Sequence, residues 1–326
     1  MLHTFCALID VLNSNTSTLK SNRRLKTMDN RIEIVDVGPR DGLQSQAELL
    51  TTDTKLQFIS NLIDAGLRRI EVASFVNPKR VPQMADVDEL IAKLPFGEKG
   101  VKFIGLVLNE QGLSRALATM VDEINCVIVT TDTFCQRNQG KTALEMLEST
   151  KNMARIAQTE KRFFGVTIGA SFGCPFEGEV SPLRVLDLVK SLVDMGVDEI
   201  SLADTIGAAA PSDVKRVVDT IRDSMGSVPL RLHFHNTRNT GVANIFAAVE
   251  SGVRIFDASC GGVGGCPFAP KATGNVGTED VLYMLERMGY ETGIDIEGII
   301  STSLWLEGPL RAAVPAMVTK AGLFPN

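Results

Sequence analysis

Apolar residues return along this chain in two rhythms. Short β-branched runs, apolar almost throughout, alternate with longer stretches whose apolar residues recur every three or four positions. The short runs are IEIVDVG (32–38), RIEVAS (69–74), VKFIGLVL (101–108), EINCVIVT (123–130), FFGVTIGAS (163–171), EISLAD (199–204), LRLHFH (230–235) and VRIFDAS (253–259). Each predicts a buried strand, and the stretch after it an amphipathic helix. TDTKLQFISNLIDAGL, for example, follows the first run and SPLRVLDLVKSLVDMGV the fifth. The phrases DAGLRRIEV, DMGVDEISL and ESGVRIFDA share one grammar of helix end, glycine cap and short strand. Such alternation means β/α units around a parallel sheet. Eight units in roughly 250 residues match a (β/α)₈ TIM barrel. A doubly wound open sheet is the competing architecture, but no G-x-G-x-x-G follows the first run, which weakens its dinucleotide-binding form. Residues 280–326 read as the eighth helix plus a C-terminal helical appendage. Nothing inside 31–326 has the composition of a linker, so one catalytic domain is expected there.

The first 30 residues break both rhythms. LNSNTSTLKSNRRLKTMDN is rich in Ser, Thr and Asn, with four Lys/Arg. A transit peptide would be basic, Ser-rich and poor in acids. Asp10 and weak amphipathicity favour a plain leader instead, with Met28 directly before the first run as another candidate start. A cytoplasmic location is the corresponding expectation, or the mitochondrial matrix if the segment is a transit peptide.

Composition narrows the function classes. The 326 residues are 44% hydrophobic and 22% charged, ample for a sizeable core. A net charge of −6 argues against a nucleic-acid partner. No apolar run is long enough to cross a membrane. The six cysteines are dispersed and form no C-x-x-C pair, so reduced thiols are expected rather than a zinc knuckle or a redox motif.

Chemistry-bearing residues gather where strands one, two, six and seven end and beyond strand eight. They are Arg40 and Asp41 in VGPRDGLQ, Glu71 and Ser74, Ser201 and Asp204 in SLADTIG, His233 and His235, and Cys266 and Asn275 in GGVGGCPFAPKATGN. Strand ends are where barrel enzymes place their sites. Residues two apart on a strand share a face, so His233 and His235 aim at one point. Two imidazoles with oxygens from Asp41 and Asn275 suit an octahedral Mg²⁺ or Mn²⁺ with open positions better than a closed zinc site. Plainer readings stand beside these: strand histidines with ordinary partners, an Asp-Gly helix start at Asp41, a Gly-Asn turn at Asn275. Arg40 would lie beside the ion, where a guanidinium stabilises a developing oxyanion; a salt bridge to Glu71 or Asp204 is compatible with that. Glu71 and Asp204 are expected to orient the arginine or a histidine. The glycine-rich loop lacks a P-loop's G-K-[ST] and reads either as a lid carrying Cys266 or as a tight turn around an inert thiol.

Taken together, VGPRDGLQ, IEVASFVNPKRVPQMAD, SLADTIG, HFHNTR and GGVGGCPFAPKATGN resemble 3-hydroxy-3-methylglutaryl-CoA lyase, a member of the metal-dependent lyase and condensing-enzyme barrels. The resemblance runs from about residue 32 to 285. It implies cleavage of a 3-hydroxy-3-methylglutaryl thioester to acetoacetate and acetyl-CoA, an acyl-CoA substrate and a homodimer. It implies that Asp41, His233, His235 and Asn275 hold Mg²⁺ or Mn²⁺. Arg40 would face the thioester oxygen, Asp41 or His233 would take the hydroxyl proton, and Cys266 would be needed for turnover. Glu71 and Asp204 match further polar positions of the family site. The chain departs from the family pattern at Asn236-Thr237-Arg238-Asn239, where Asp-Thr is usual, and in the sequence around Cys266. Asn236 and Arg238 therefore raise a related branched 3-hydroxyacyl-CoA as an alternative substrate. A condensing synthase and a non-catalytic acyl-CoA-binding barrel are the other readings. Lys79 and Arg80 are a basic pair that either meets CoA phosphates or faces solvent.

Overall fold

The computed structural model describes residues 30–265 and 274–325. Eight parallel strands close into a barrel in sequence order: β1 (Glu33–Asp36), β2 (Arg69–Ser74), β3 (Lys102–Val107), β4 (Glu123–Val129), β5 (Phe163–Gly169), β6 (Glu199–Asp204), β7 (Leu230–Phe234) and β8 (Ile255–Ala258). The ring closes where β8 pairs with β1, Phe256 opposite Ile34 and Ala258 opposite Asp36. All eight expected strands are present, none trimmed by more than two residues at either end.

The expected helices stand between them: α1 (Thr52–Asp64), α2 (Val87–Ala92), α3 (Glu110–Leu117), α4 (Asp132–Gln139), α5 (Ala143–Thr159), α6 (Pro182–Met195), α7 (Pro211–Ile221), α8 (Gly241–Glu250) and α9 (Thr278–Arg287). Local chemistry sets their ends. Thr142 and Glu145 form a capping box at the start of α5. The Ser181 hydroxyl accepts the Leu183 amide and Pro182 opens α6. Gly196 then stops α6 at φ 71°, where a side chain would be strained. Each helix buries one stripe against the outside of the barrel, as Val185, Leu188, Val189 and Leu192 of α6 do.

The C-terminal appendage is α10 (Ile296–Leu310) and α11 (Met317–Ala321). Trp305 of α10 lies 6.5 Å from the Phe58 ring of α1, and the same helix packs on the turn Cys260–Gly262 after β8. No helix among the described residues is long and apolar enough to cross a membrane.

Inside the barrel the apolar filling is small: Val35, Val37 and Ile104, with Ile255 against them. Barrel interiors are usually layered with branched aliphatic side chains. Much of this one is charged instead, with Arg69, Glu123, Glu199, Arg231 and Asp257 paired to one another.

Candidate active site

The turn after β1 builds the first wall of the site. Three successive amides, of Arg40, Asp41 and Gly42, converge on the Val37 carbonyl at 3.2, 2.8 and 3.1 Å. This wide turn over Gly38–Gly42 stands Arg40 and Asp41 at the barrel mouth. Arg40 Nη1 meets Asp41 Oδ1 at 2.6 Å, and its Nε donates to the buried Glu71 of β2. Of Glu71 and Asp204, Glu71 is the one that pairs with Arg40.

His233 and His235 lie across the mouth, their rings 5.1 Å apart. Asp41 Oδ2 is 4.0 Å from His235 Nε2 and accepts the Asn275 side-chain amide at 3.0 Å. Asn275 is held there by a bridge to His235 and by a second bond to the Val263 carbonyl at 3.2 Å. One donor atom from each of Asp41, His233 and His235 falls within 4.8 Å of the others, a possible metal site. Asn275 Oδ1 and His235 Nδ1 are buried there without a hydrogen-bond partner. Buried polar atoms are normally satisfied, so orphaned acceptors beside a carboxylate fit a site built for a cation.

Electrostatics agree with the geometry. Burial alone would raise the Asp41 carboxyl, but Arg40, the two histidines and Asn275 bring it down to about 2. Burial lowers His235, and His233 beside it lowers it further, to about 4, so the ring is neutral near pH 7. Burial also works against a charged His233, yet the hydrogen bond and charge of Asp257 outweigh it and raise this ring. Arg40 stays protonated because Glu71 and Asp41 override its own burial.

Asp257 is the site residue that the sequence reading missed. Its Oδ2 lies 3.1 Å from His233 Nδ1, and its Oδ1 lies 3.2 Å from Arg231 Nη1. With Nδ1–H donating to the carboxylate, His233 Nε2 keeps a free lone pair toward the mouth, the arrangement common for metal-binding or proton-accepting histidines. The signal was an acid two places past Ile255 on the inward face of VRIFDAS.

Other expected residues lie elsewhere. Asp204 does not pair with Arg40: its two oxygens accept the amides of Ala208 (2.8 Å) and Ala209 (3.0 Å), which ties down the loop after β6. Asn236 and Arg238 also serve the backbone. Asn236 Oδ1 accepts the Gly241 amide at 3.0 Å, and Arg238 donates to the carbonyls of Ile206 and Gly207 at 2.9 and 2.8 Å. None of these three lines the cavity. The place of Asn236 and Arg238 beside β7 in sequence thus does not put them on the cavity wall. Ser201 is buried with an unpartnered hydroxyl, as is Ser74, which does line the cavity. Cys266 falls outside the described residues.

The cavity at the mouth holds about 850 Å³. Arg40, Asp41, Glu71, Ser74, His233, His235 and Asp257 line it, with Asn125 and Thr167 from β4 and β5. Arg80, Arg115, Arg137 and Lys141 add positive charge, while Lys79 of the basic pair is not part of it. That volume suits a ligand of drug size or larger.

A closed β/α barrel with a carboxylate, two imidazoles, a carboxamide and a guanidinium converging at its strand ends is the architecture of a barrel enzyme with a polar reaction centre. The chain belongs to the HMGL-like family, whose model matches residues 31–305. It is a carbon–carbon lyase of hydroxymethylglutaryl-CoA lyase type. It is 43% identical over 302 residues to (R)-citramalyl-CoA lyase of Chloroflexus aurantiacus, covering 89% of this chain and 95% of the relative. It is 37% identical over 286 residues to hydroxymethylglutaryl-CoA lyase YngG of Bacillus subtilis, covering 88% and 95%. The solved HMG-CoA lyase of Acinetobacter baumannii, in complex with coenzyme A and 3-methylmalate, superposes with a TM-score of 0.87 at 37% identity, covering 93% of this chain and 100% of that one.

Proposed function

We propose that this chain cleaves the C2–C3 bond of a 3-hydroxy-3-methyl acyl-CoA that carries a free carboxylate, releasing acetyl-CoA and an oxo acid. The convergence of Asp41, His233, His235 and Asn275 beside Arg40 carries this reading. The first substrate it implies is 3-hydroxy-3-methylglutaryl-CoA, which yields acetoacetate. The 43% identity to a citramalyl-CoA lyase favours a second, citramalyl-CoA, which yields pyruvate.

Asp41, His233, His235 and Asn275 would hold a divalent cation, Mg²⁺ or Mn²⁺, which when bound supplies a Lewis acid for the C3 hydroxyl oxygen and the nearby carboxylate. Bond cleavage requires the C3 hydroxyl to lose its proton. Asp41 and His233 are the groups at hand. With its Nδ1 proton held by Asp257, His233 has one lone pair, on Nε2, which serves either the cation or the hydroxyl proton and not both at once. The hydroxyl electrons then form the new carbonyl, and the C2–C3 pair moves onto the thioester as an enolate. Arg40, anchored by Glu71 and Asp41, is placed to hold the enolate oxygen; one such contact commonly contributes about 3–4 kcal/mol. Protonation at carbon completes acetyl-CoA; the resemblance makes Cys266 necessary for turnover, and a thiol is chemically suited to donate that proton.

The two substrates differ by one methylene between C3 and the carboxylate. A single methylene is worth roughly 10–200-fold in discrimination. The purified chain, given each thioester with Mg²⁺ or Mn²⁺, is expected to cleave one or both, with at least a tenfold preference in kcat/KM. Acetoacetate and pyruvate report the two products separately. Absence of both products from folded, metal-loaded protein would overturn the proposal.

A further inference from the structure

The charged interior of the barrel forms a continuous thread that ends on His233. At the floor, Arg69 of β2 pairs with Glu33 at 2.5 Å and with Glu123 at 2.5 Å. The same guanidinium meets both oxygens of Glu199, at 3.0 and 3.2 Å. Glu199 Oε1 also lies 3.0 Å from Arg231 Nε. Arg231 Nη1 reaches Asp257 Oδ1 at 3.2 Å, and Asp257 Oδ2 meets His233 Nδ1 at 3.1 Å. Arg231 is only 1% exposed and is the largest of the fully buried side chains. Period two places it on the same face of β7 as His233, one step deeper in the barrel.

Burying five charges in this way is expensive, because desolvation competes with pairing. Aliphatic side chains would fill a barrel floor without that penalty. The geometry shows what the charges achieve. Arg231 lies against both carboxylates at once: its Nη1 donates to Asp257 Oδ1, while its Nε, close to Glu199 Oε1, is in charge contact without a hydrogen bond. Asp257 is thereby fixed by one oxygen while the other receives His233.

We propose that Arg231 is a positioning residue: it clamps Asp257 so that His233 is held as the Nδ1–H tautomer with Nε2 free toward the mouth. Glu199 and Arg69 brace the clamp from below. This inference rests on the proposed metal site for one of its two readouts, and on the metal-free chain for the other.

The test compares wild type with Arg231→Met and Arg231→Lys by Mn²⁺ affinity and by ¹⁵N-histidine spectra of the metal-free chain at a pH where the rings are neutral. With three histidines in the chain, the spectrum is readily assigned. Loss of a partner behind a metal-binding histidine typically weakens affinity 10–100-fold. Arg231→Met is expected to raise the Mn²⁺ Kd by about that factor and to mix the His233 tautomers. Arg231→Lys, which keeps the charge and loses the fork, is expected to shift both readouts in the same direction by less. If Arg231→Met does not fold, Arg231→Lys carries the test. A folded variant with wild-type tautomer and wild-type Kd would overturn the proposal. Should wild type bind no Mn²⁺, the metal reading fails, and the tautomer measurement still decides the role of Arg231.

Discussion

At the scale of single residues, the site is a set of polar groups that satisfy one another incompletely. Arg40 is held on one side by buried Glu71 and on the other by Asp41, and it still faces the cavity. Arg40→Gln removes the charge while leaving a side chain of similar reach. Turnover is expected to drop roughly 10²–10³-fold, as when one oxyanion contact is removed. Steady-state kinetics should place this loss mainly in kcat, and an unchanged kcat would refute the assigned role. Asp36 is a residue of another kind. It is fully buried at the foot of the site and accepts the Gly38 and Cys260 amides and the Thr278 hydroxyl at 2.8, 3.0 and 2.7 Å. Burial outweighs those bonds and raises its carboxyl from 3.8 to about 7. A raised carboxyl means that the folded state binds the proton more tightly than the unfolded one. Its contribution to stability is complete below about pH 4 and is lost as pH rises through about 7. The stability difference between wild type and Asp36→Asn, followed by denaturant melts, should therefore shift against wild type between those limits. A pH-independent difference would contradict this.

The residues also show what sequence could tell. His233, His235, Asp41 and Asn275 stood out because two imidazoles at period two need company, and the structure brings the four together. Asp257 and Arg231 did not stand out. Both sit within strand runs whose burial reads as apolar, and only the register of β7 on β8, His233 opposite Asp257, brings them into contact. Asp204, Asn236 and Arg238 present the converse case. They are close to the site in sequence, but loop backbone captures their side chains.

At the scale of elements, periodicity and glycine caps sufficed for the eight strands and the helices between them, because each element's apolar pattern matches its own burial. Less legible was how the segment after β8 is secured. Gly264 takes φ 146°, and a Cβ there would come within 2.5 Å of the Asn275 side-chain nitrogen. Gly264→Ala is thus expected to push Asn275 off Asp41 as well as strain the backbone. Titration with Mn²⁺ should show weakened binding, while circular dichroism shows the barrel intact. Wild-type affinity in that variant would mean that Asn275 is not part of the metal site.

At the scale of the molecule, the barrel divides its labour between two faces of one sheet. The outer face and the helices supply the large apolar core, with side chains such as Phe58, Phe103 and Phe164 fully buried. The inner face gives up apolar filling for charge and ends in the reaction centre. The family resemblance implies a homodimer; light scattering should then give twice the 35.2 kDa chain mass, and the chain mass alone would contradict it. The central claim is metal-dependent cleavage of a carbon–carbon bond in a branched 3-hydroxyacyl-CoA. Its most direct test is acetyl-CoA release from 3-hydroxy-3-methylglutaryl-CoA and from citramalyl-CoA by one chelator-stripped sample, before and after addition of Mn²⁺. The stripped protein is expected to release nothing, and restoring the cation to yield stoichiometric acetyl-CoA and oxo acid from at least one thioester. Equal release with and without the cation, or none from folded protein in its presence, would contradict the claim.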